Sequence, residues 1–536
     1  MSVFDFRAIE LHGREMWRRE IILRALERAK ALGLDALVLH ETDFVHHVVY
    51  PRAYFDPQAL WKDVPSRRGE NAIFNNRAYF DHILRLAEAA GIAVWLNVKE
   101  IGFSDEVLDY RPDIVKAGAV CPSHPFLFEY VEAKTAELFA DFPRLAGLIV
   151  SAGSQESRAS RVQNKCRCES CRGEPLADWY LRLIETLHRP IRAAGKRLAF
   201  RDFAYKPADH EPLIAAVGRA PKDVIFCVKA MPHDFYLTFP PNPALGRLER
   251  ETWIEYDVMG QFFGWGVFPC FVGEDLAHRI PHAARAGASG AILRVEWERI
   301  NDLHCLDNLN AANLIAAAAI LTGEAPDDVV VWRRWLEMKG HDSGAAPWLA
   351  ETMDATLPII LRAVYLDGHV SADNCMLPRS IRRAWWGMEV RDSLAIWDKS
   401  READLALDRP RIAALMSEKD EALALTRALI TRLDRGDPAL SPALADELRR
   451  AFAHFEIWVR GHVLAARVLI LARWIDTGEA DAKDRARLKE AIEAYAAFGA
   501  ALRPLVENPD TPHHIALILD PGRVADVVRE GRALAG

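Results

Sequence analysis

The residues able to do chemistry fall in short clusters. Ser-Ala-Gly-Ser-Gln-Glu-Ser brings in Glu156, Phe-Arg-Asp-Phe brings in Arg201 and Asp202, and Lys229 precedes Met-Pro-His-Asp, which holds His233 and Asp234. Glu255 and Asp257 stand two apart in Thr-Trp-Ile-Glu-Tyr-Asp, and Arg294, Glu296 and Glu298 close the series. Carboxylates converging on one place suit glycoside hydrolysis: one acid protonates the leaving oxygen while a second carboxylate attacks or activates water. Crowded carboxylates raise one another's pKa, so one keeps a proton near neutral pH. Arg201 and Lys229 suit an acidic group on a substrate, the guanidinium through two-point carboxylate recognition. Equally, they could pair with Asp202, Glu255 or Asp257 as a structural ion network.

Such clusters converge only if the fold brings them together. Short apolar runs alternate with helical periods through the first part of the chain. The pattern predicts strands at Val3–Leu11, Asp35–His40, Ala93–Val98, Gly147–Ser151, Arg197–Phe203, Asp223–Lys229, Thr252–Asp257 and Gly290–Glu296. Helices are predicted between most of them, among them Arg14–Lys30, Arg77–Ala90, Phe126–Ala140, Leu176–Ala194 and Glu274–Ala286, several ended by glycine. Eight strands alternating with helices predict a (β/α)8 barrel over residues 1–325, with an open doubly wound sheet as the competitor. Barrels of this class place reactive groups just past the C-terminal ends of their strands, where the clusters fall. Beyond Pro326 strand-like runs vanish. Segments such as Arg411–Leu433, Pro442–Ile475 and Ala482–Val506 predict an α-helical C-terminal domain over residues 326–536.

The chain of 536 residues is too long for one core, and its net charge of -8 argues against nucleic acid as the main partner. No apolar run is long enough to span a bilayer, the N-terminus lacks a signal-peptide pattern, and eight cysteines suit a reduced compartment; the expectation is a cytoplasmic protein. Most of the fifteen tryptophans are expected in cores. Trp265, in the glycine-rich loop with Gln261, and the pair Trp385 and Trp386 in Arg-Arg-Ala-Trp-Trp-Gly are candidates for stacking on sugar.

Ordered segments of the chain resemble the family 67 α-glucuronidases, inverting enzymes that remove glucuronic acid side groups from xylan fragments. AGIAVWLNV is similar to the family's third strand, and CPSHPFLFEYVEAKTAELFADFPRLAGLIVSAGSQES to the helix and strand that deliver its general acid, implying that role for Glu156. FRDFAY is similar to the strand with a sugar-binding arginine, here Arg201, and DVIFCVKAMPHDF to the segment with a substrate lysine and a catalytic aspartate, here Lys229 and Asp234. The family's helical C-terminal domain contributes to the site and to dimerisation, which implies a homodimer through residues 326–536. Two departures are expected: the barrel pattern starts near residue 3, with no room before it for the family's N-terminal sandwich domain, and the simplest alignment places Gln261 where the family has a second catalytic glutamate. Glutamine cannot act as a base, so Glu255 or Asp257 takes that role or Asp234 activates the water alone. The resemblance thus implies an inverting glycosidase that acts on a uronic acid in an oligosaccharide and needs no cofactor for catalysis.

Lys-Cys-Arg-Cys-Glu-Ser-Cys-Arg packs Cys166, Cys168 and Cys171 about ten residues beyond Glu156. Three thiols at this spacing suggest a structural zinc site in need of a fourth ligand, which Cys121 or His124 could supply; free thiols are the alternative. His12 and His40 lie near the first two strands. A metal-dependent barrel hydrolase would use such histidines, but the usual His-x-His pair is absent and only His12 occurs on strand one. His40, Glu41 and Asp43 could instead contact sugar hydroxyls or serve structure alone, and either is favoured over a catalytic metal. A sugar-binding barrel that has lost its base is the non-enzymatic alternative.

Overall fold

The computed structural model describes residues 4–40, 44–49, 51–55, 73–153, 156–162, 166–297 and 303–535. Eight parallel strands close into a barrel: β1 (Phe6–Leu11), β2 (Ala36–His40), β3 (Ala93–Lys99), β4 (Leu145–Ser151), β5 (Arg197–Arg201), β6 (Ile225–Lys229), β7 (Thr252–Asp257) and β8 (Ala288–Arg294). Closure pairs β1 with β8, Phe6 lying opposite Gly290 and Glu10 opposite Arg294. The doubly wound alternative is thereby excluded, because an open sheet would leave both edge strands unpaired. The surrounding helices are α1 (Arg19–Ala31), α2 (Ile73–Ala90), α3 (Pro125–Asp141), α4 (Leu176–Ala193), α5 (Pro207–Arg219), α6 (Gly273–Arg285) and α7 (Ala311–Leu321). The connection from β6 to β7 has no helix.

Two boundaries differ instructively from the sequence reading. The helix expected from Arg14 is broken: Arg14–Trp17 is a 3-10 turn, and α1 begins only after the extended Arg18. Glu15 N–H donates to Glu296 at 3.1 Å, which ties that turn to the barrel mouth rather than to α1. In the helical region a two-residue hairpin, Tyr365–Leu366 with His369–Val370, interrupts the expected all-helical pattern.

The barrel interior is built in layers. Its lower part is apolar. Phe6 stacks on Trp253 with centroids 3.7 Å apart, and Trp95 meets Trp253 edge-on at 4.8 Å. Two glycines make room for these indoles: a Cβ at Gly147 would fall 2.2 Å from the Trp95 ring, and one at Gly290 2.2 Å from the Trp253 ring. Side chains alternate along a strand, so the residue two further on faces the same interior one layer higher. At that step every strand turns polar. Ala8 leads to Glu10, Val38 to His40, Trp95 to Asn97, Ile149 to Ser151, Ala199 to Arg201, Cys227 to Lys229, Trp253 to Glu255, and Ile292 to Arg294. All eight polar residues are buried.

Beyond α7 the chain is mainly helical. Its long elements are α8 (Arg409–Arg435), α9 (Pro442–Asp476) and α10 (Ala482–Val506). Each starts on a side-chain cap: Asp408 accepts from Arg411 N–H, Ser441 from Leu444 N–H, and Asp481 from Asp484 N–H. Buried apolar residues around the barrel and in the helices form one continuous cluster, and the barrel interior with Trp95 and Trp253 forms another. Among the described residues no helix is long and apolar enough to cross a membrane.

Candidate active site

The polar layer forms the floor of the site. Arg201 Nε donates to Glu255 at 2.5 Å, Arg294 donates to Glu255 as well, and Arg294 Nε donates to Glu10 at 3.0 Å. Two guanidiniums and two carboxylates thus alternate in a neutral buried network. Burial pushes Glu255 upward, but Arg201 and Arg294 overcome it and hold its pKa at about 2. Burial pushes Glu10 upward too, but Arg294, His12, Arg201 and the Asn97 hydrogen bond together hold it low.

A cavity of about 180 Å³ lies over this floor. Its walls include Lys99 from β3, Glu156 after β4, Arg201 from β5, Lys229, His233 and Asp234 from β6 and its loop, Gln261 after β7, and Arg294 and Trp297 from β8 and beyond. Glu156 and Asp234 therefore line one space, and each meets a buried ammonium. Lys99 Nζ is 2.5 Å from Glu156 Oε2, and Lys229 Nζ is 2.6 Å from Asp234 Oδ1. Lys229 also donates to the carbonyl of His233 at 2.6 Å. Burial lowers the Lys229 pKa to about 8, against the pull of Asp234. Burial pushes Asp234 upward, but Lys229, through charge and hydrogen bond, together with His233 and Arg294 holds it below the ordinary value.

A chain of contacts joins the floor to Glu156. His40 Nδ1 is 3.3 Å from Glu10 Oε1, and His40 Nε2 is 3.3 Å from Lys99 Nζ. Lys99 can only donate, so His40 Nε2 accepts from it and the ring proton sits on Nδ1 toward Glu10, with Asn97 Nδ2 also 3.2 Å from that nitrogen. Burial holds His40, and burial with Arg294 holds His12, well below the ordinary histidine value. The loop carrying Glu156 is anchored separately: Gly153 N–H donates to Glu100 at 2.8 Å, and Arg158 donates to the carbonyl of Phe103 at 2.8 Å.

The helical region completes the wall with Asn374, Arg391 and Asp392. Gln261 Nε2 donates to Asn374 Oδ1 at 2.8 Å, and His233 Nε2 lies 2.9 Å from Asp392 Oδ1. His233, Asn374 and Cys375 all take left-handed backbone, at φ 64, 51 and 55. Such strain in non-glycine residues persists only where the surroundings enforce it, and it gathers at functional sites. Cys375 is held from α9, where Trp458 Nε1 donates to its carbonyl at 2.9 Å and His462 Nε2 lies 3.0 Å from it; His233 is held by Lys229 at its carbonyl and Asp392 at its ring.

The structure brings together Glu156, Asp234, Arg201, Lys229, His40 and Gln261. Other expected residues lie elsewhere. Glu255 is wholly buried beneath the cavity and saturated by two arginines, so it can neither reach water nor act as a base. Asp257 accepts from the backbone N–H groups of Met259, Gly260 and Gln261 at 3.1, 3.0 and 2.7 Å and caps the loop rather than facing the cavity. Burial raises its pKa to about 6, against Arg294 and those three donors. Trp265 is buried behind Trp297, which takes the wall position. Trp385 is a core residue whose indole donates to the Leu469 carbonyl at 3.0 Å. Trp386 is 45% exposed and lines an adjoining cavity instead. Glu41, Asp43 and Glu298 lie outside the described residues.

The sequence reading passed over Lys99, Glu10, Tyr205, Asn374, Arg391 and Asp392. Strand parity points to the first two; the helical-region residues carry no such signal.

Glu10, His12 and His40 bring donor atoms within 4.8 Å of one another, the nearest approach to a catalytic metal site among the described residues. Arg294 and Asn97 already occupy Glu10, and Lys99 faces His40, so cations stand where a metal would place its charge. The donor set fits a proton-holding network better than a metal.

No family model matches the chain, and no curated protein matches it. The resemblance to the family 67 α-glucuronidases therefore stands on its segments of sequence alone. Solved structures to which the chain is similar include a β-N-acetylhexosaminidase from Bacteroides fragilis, at 12% identity and TM-score 0.43, covering 64% of this chain and 72% of that one. Another is a variant of the Thermobaculum terrenum O-GlcNAc hydrolase, at 12% identity and TM-score 0.44, covering 99% of this chain and 96% of that one. At that level of likeness the chemistry has to come from this chain's own residues.

Proposed function

We propose that this chain is a glycoside hydrolase acting on an acidic sugar, with Glu156 as the acid that protonates the leaving oxygen and Asp234 as the carboxylate that activates water. The observation that carries this reading is that both carboxylates line one cavity, each with its own buried lysine. Lys229 keeps Asp234 ionised, as a base requires. Lys99 has a second part. A neighbouring ammonium favours the ionised form of a carboxylate. When a substrate carboxylate draws Lys99 toward itself, Glu156 is relieved of that ammonium and takes up the proton it must deliver. The substrate's own charge thereby arms the acid, which gives a physical reason for an acidic sugar such as a uronic acid. The resemblance to inverting enzymes supports inversion, with water entering opposite the leaving group.

The adjoining cavity of about 190 Å³ shares Arg391 and Asp392 with the first and is lined by Trp386, Arg379, Arg383 and Arg523. An exposed indole beside guanidiniums suits the remainder of an acidic oligosaccharide. One observation favours a non-catalytic sugar-binding barrel instead: both carboxylates are held in ion pairs, and Gln261 spends both ends of its amide on Arg294 and Asn374. Incubation with a panel of uronic-acid and neutral oligosaccharides, with product anomers followed by NMR, decides between them. Release of an inverted uronic acid supports the hydrolase; binding without release supports the alternative.

A further inference from the structure

We infer that Cys121, Cys166, Cys168 and Cys171 form a closed tetrathiolate site for one zinc ion, which clamps the loop carrying Glu156 to the loop after β3. Cys121 follows the small hairpin Val115–Lys116 with Ala119–Val120, between β3 and α3. The other three lie between β4 and α4, around the start of the short helix Glu169–Gly173. All four sulfurs lie within 4.8 Å of one another, and Cys121 Sγ is 3.5 Å from both Cys168 Sγ and Cys171 Sγ. A tetrahedral site with Zn–S of about 2.3 Å needs sulfurs about 3.8 Å apart, whereas a disulfide needs about 2.05 Å. None of the four is in a disulfide and three are buried.

The surroundings match a thiolate cluster. Cys171 N–H points at Cys168 Sγ at 3.5 Å, and the Ser123 hydroxyl lies 3.7 Å from Cys171 Sγ, where it can donate to a thiolate. Such outer contacts orient ligands. His124 is not the fourth ligand. Its Nδ1 accepts from Phe126 N–H at 3.3 Å, and its Nε2 faces Asp113 at 3.3 Å. Four protein ligands leave no open position, so the ion is structural. Its mechanical effect is specific. Glu156 is flanked by ties to the β3 side: the Gly153–Glu100 bond on one flank, and on the other the Arg158–Phe103 bond and the Ile101–Ala159 bridge, followed by the cysteine cluster. Losing the metal unties the second flank beyond that bridge.

The test uses the full chain, purified without a metal-affinity step and dialysed against zinc-free buffer. Elemental analysis is expected to give one zinc per chain, with X-ray absorption showing four sulfur neighbours at about 2.3 Å. Cys168→Ser and Cys121→Ser should each weaken zinc binding by more than about tenfold, the lower bound for losing even an outer contact. Cys305→Ser, a buried cysteine outside the cluster, should leave zinc content unchanged. If the cluster variants fail to fold, the native protein still decides: mercurial modification of thiols should release the zinc in step with loss of four thiols. Nitrogen or oxygen neighbours in the absorption spectrum would overturn the assignment, as would folded protein that stays metal-free after zinc is added.

Discussion

Replacing Lys229 by methionine should change the pH dependence of stability in a direction opposite to that of most surface lysines. Burial holds Lys229 at about 8 against an ordinary value of 10.5. Between those values the unfolded chain keeps a proton that the folded chain has lost. Unfolding free energy therefore rises with pH across that window, by about 3 kcal/mol in total, because the cost of a buried ammonium disappears. Lys229→Met removes this titration. Urea unfolding of the native protein and the variant at pH 7.5, 8.5, 9.5 and 10.5 isolates the group. The native-minus-variant difference should climb by roughly 3 kcal/mol over the series. Catalysis should move the other way, falling above about pH 8 as Asp234 loses its ammonium partner. A difference that stays flat, or that falls with pH, would refute the assignment of Lys229 as a buried cation paired with Asp234.

Glu255→Gln should leave Arg201 and Arg294 short of one charge in a buried network and cost about 3–5 kcal/mol in denaturant unfolding. The lost contribution is one present above pH 4.5 and given up as pH falls through about 2, so the variant and native protein should converge toward the acid end. Trp386→Ala should raise KM on an oligosaccharide with kcat little changed, because its ring is exposed in the adjoining cavity. Trp385→Ala should instead lower stability by about 3–5 kcal/mol in the same unfolding assay, since that ring is core.

The barrel was legible because its strands are short apolar runs with a fixed period, and the edges of those runs fell within a few residues of the observed ones. The site was legible in part, for a related reason. Glu255 and Asp257 share a parity with Trp253, so their inward direction could be read, but depth along the strand could not. Glu255 and Lys229 are in register on neighbouring strands and belong to the same polar layer, yet Lys229 lines the cavity and Glu255 is covered by Arg201 and Arg294. Lys99 and Glu10 share the same parity rule and were within reach of it. Trp385 and Trp386 show a simpler error: consecutive helical residues cannot face the same way, so at most one could meet a substrate. Asn374, Arg391 and Asp392 come from short turns with irregular backbone, where no period exists to read.

The central claim is that Glu156 and Asp234 act together on one glycosidic bond. Its most direct test is turnover and sugar binding measured side by side for Glu156→Gln and Asp234→Asn, using the best substrate from the oligosaccharide panel. Each change is expected to cut kcat by about 10²–10⁴ while the sugar still binds. Turnover that survives both substitutions at the native rate would contradict the claim.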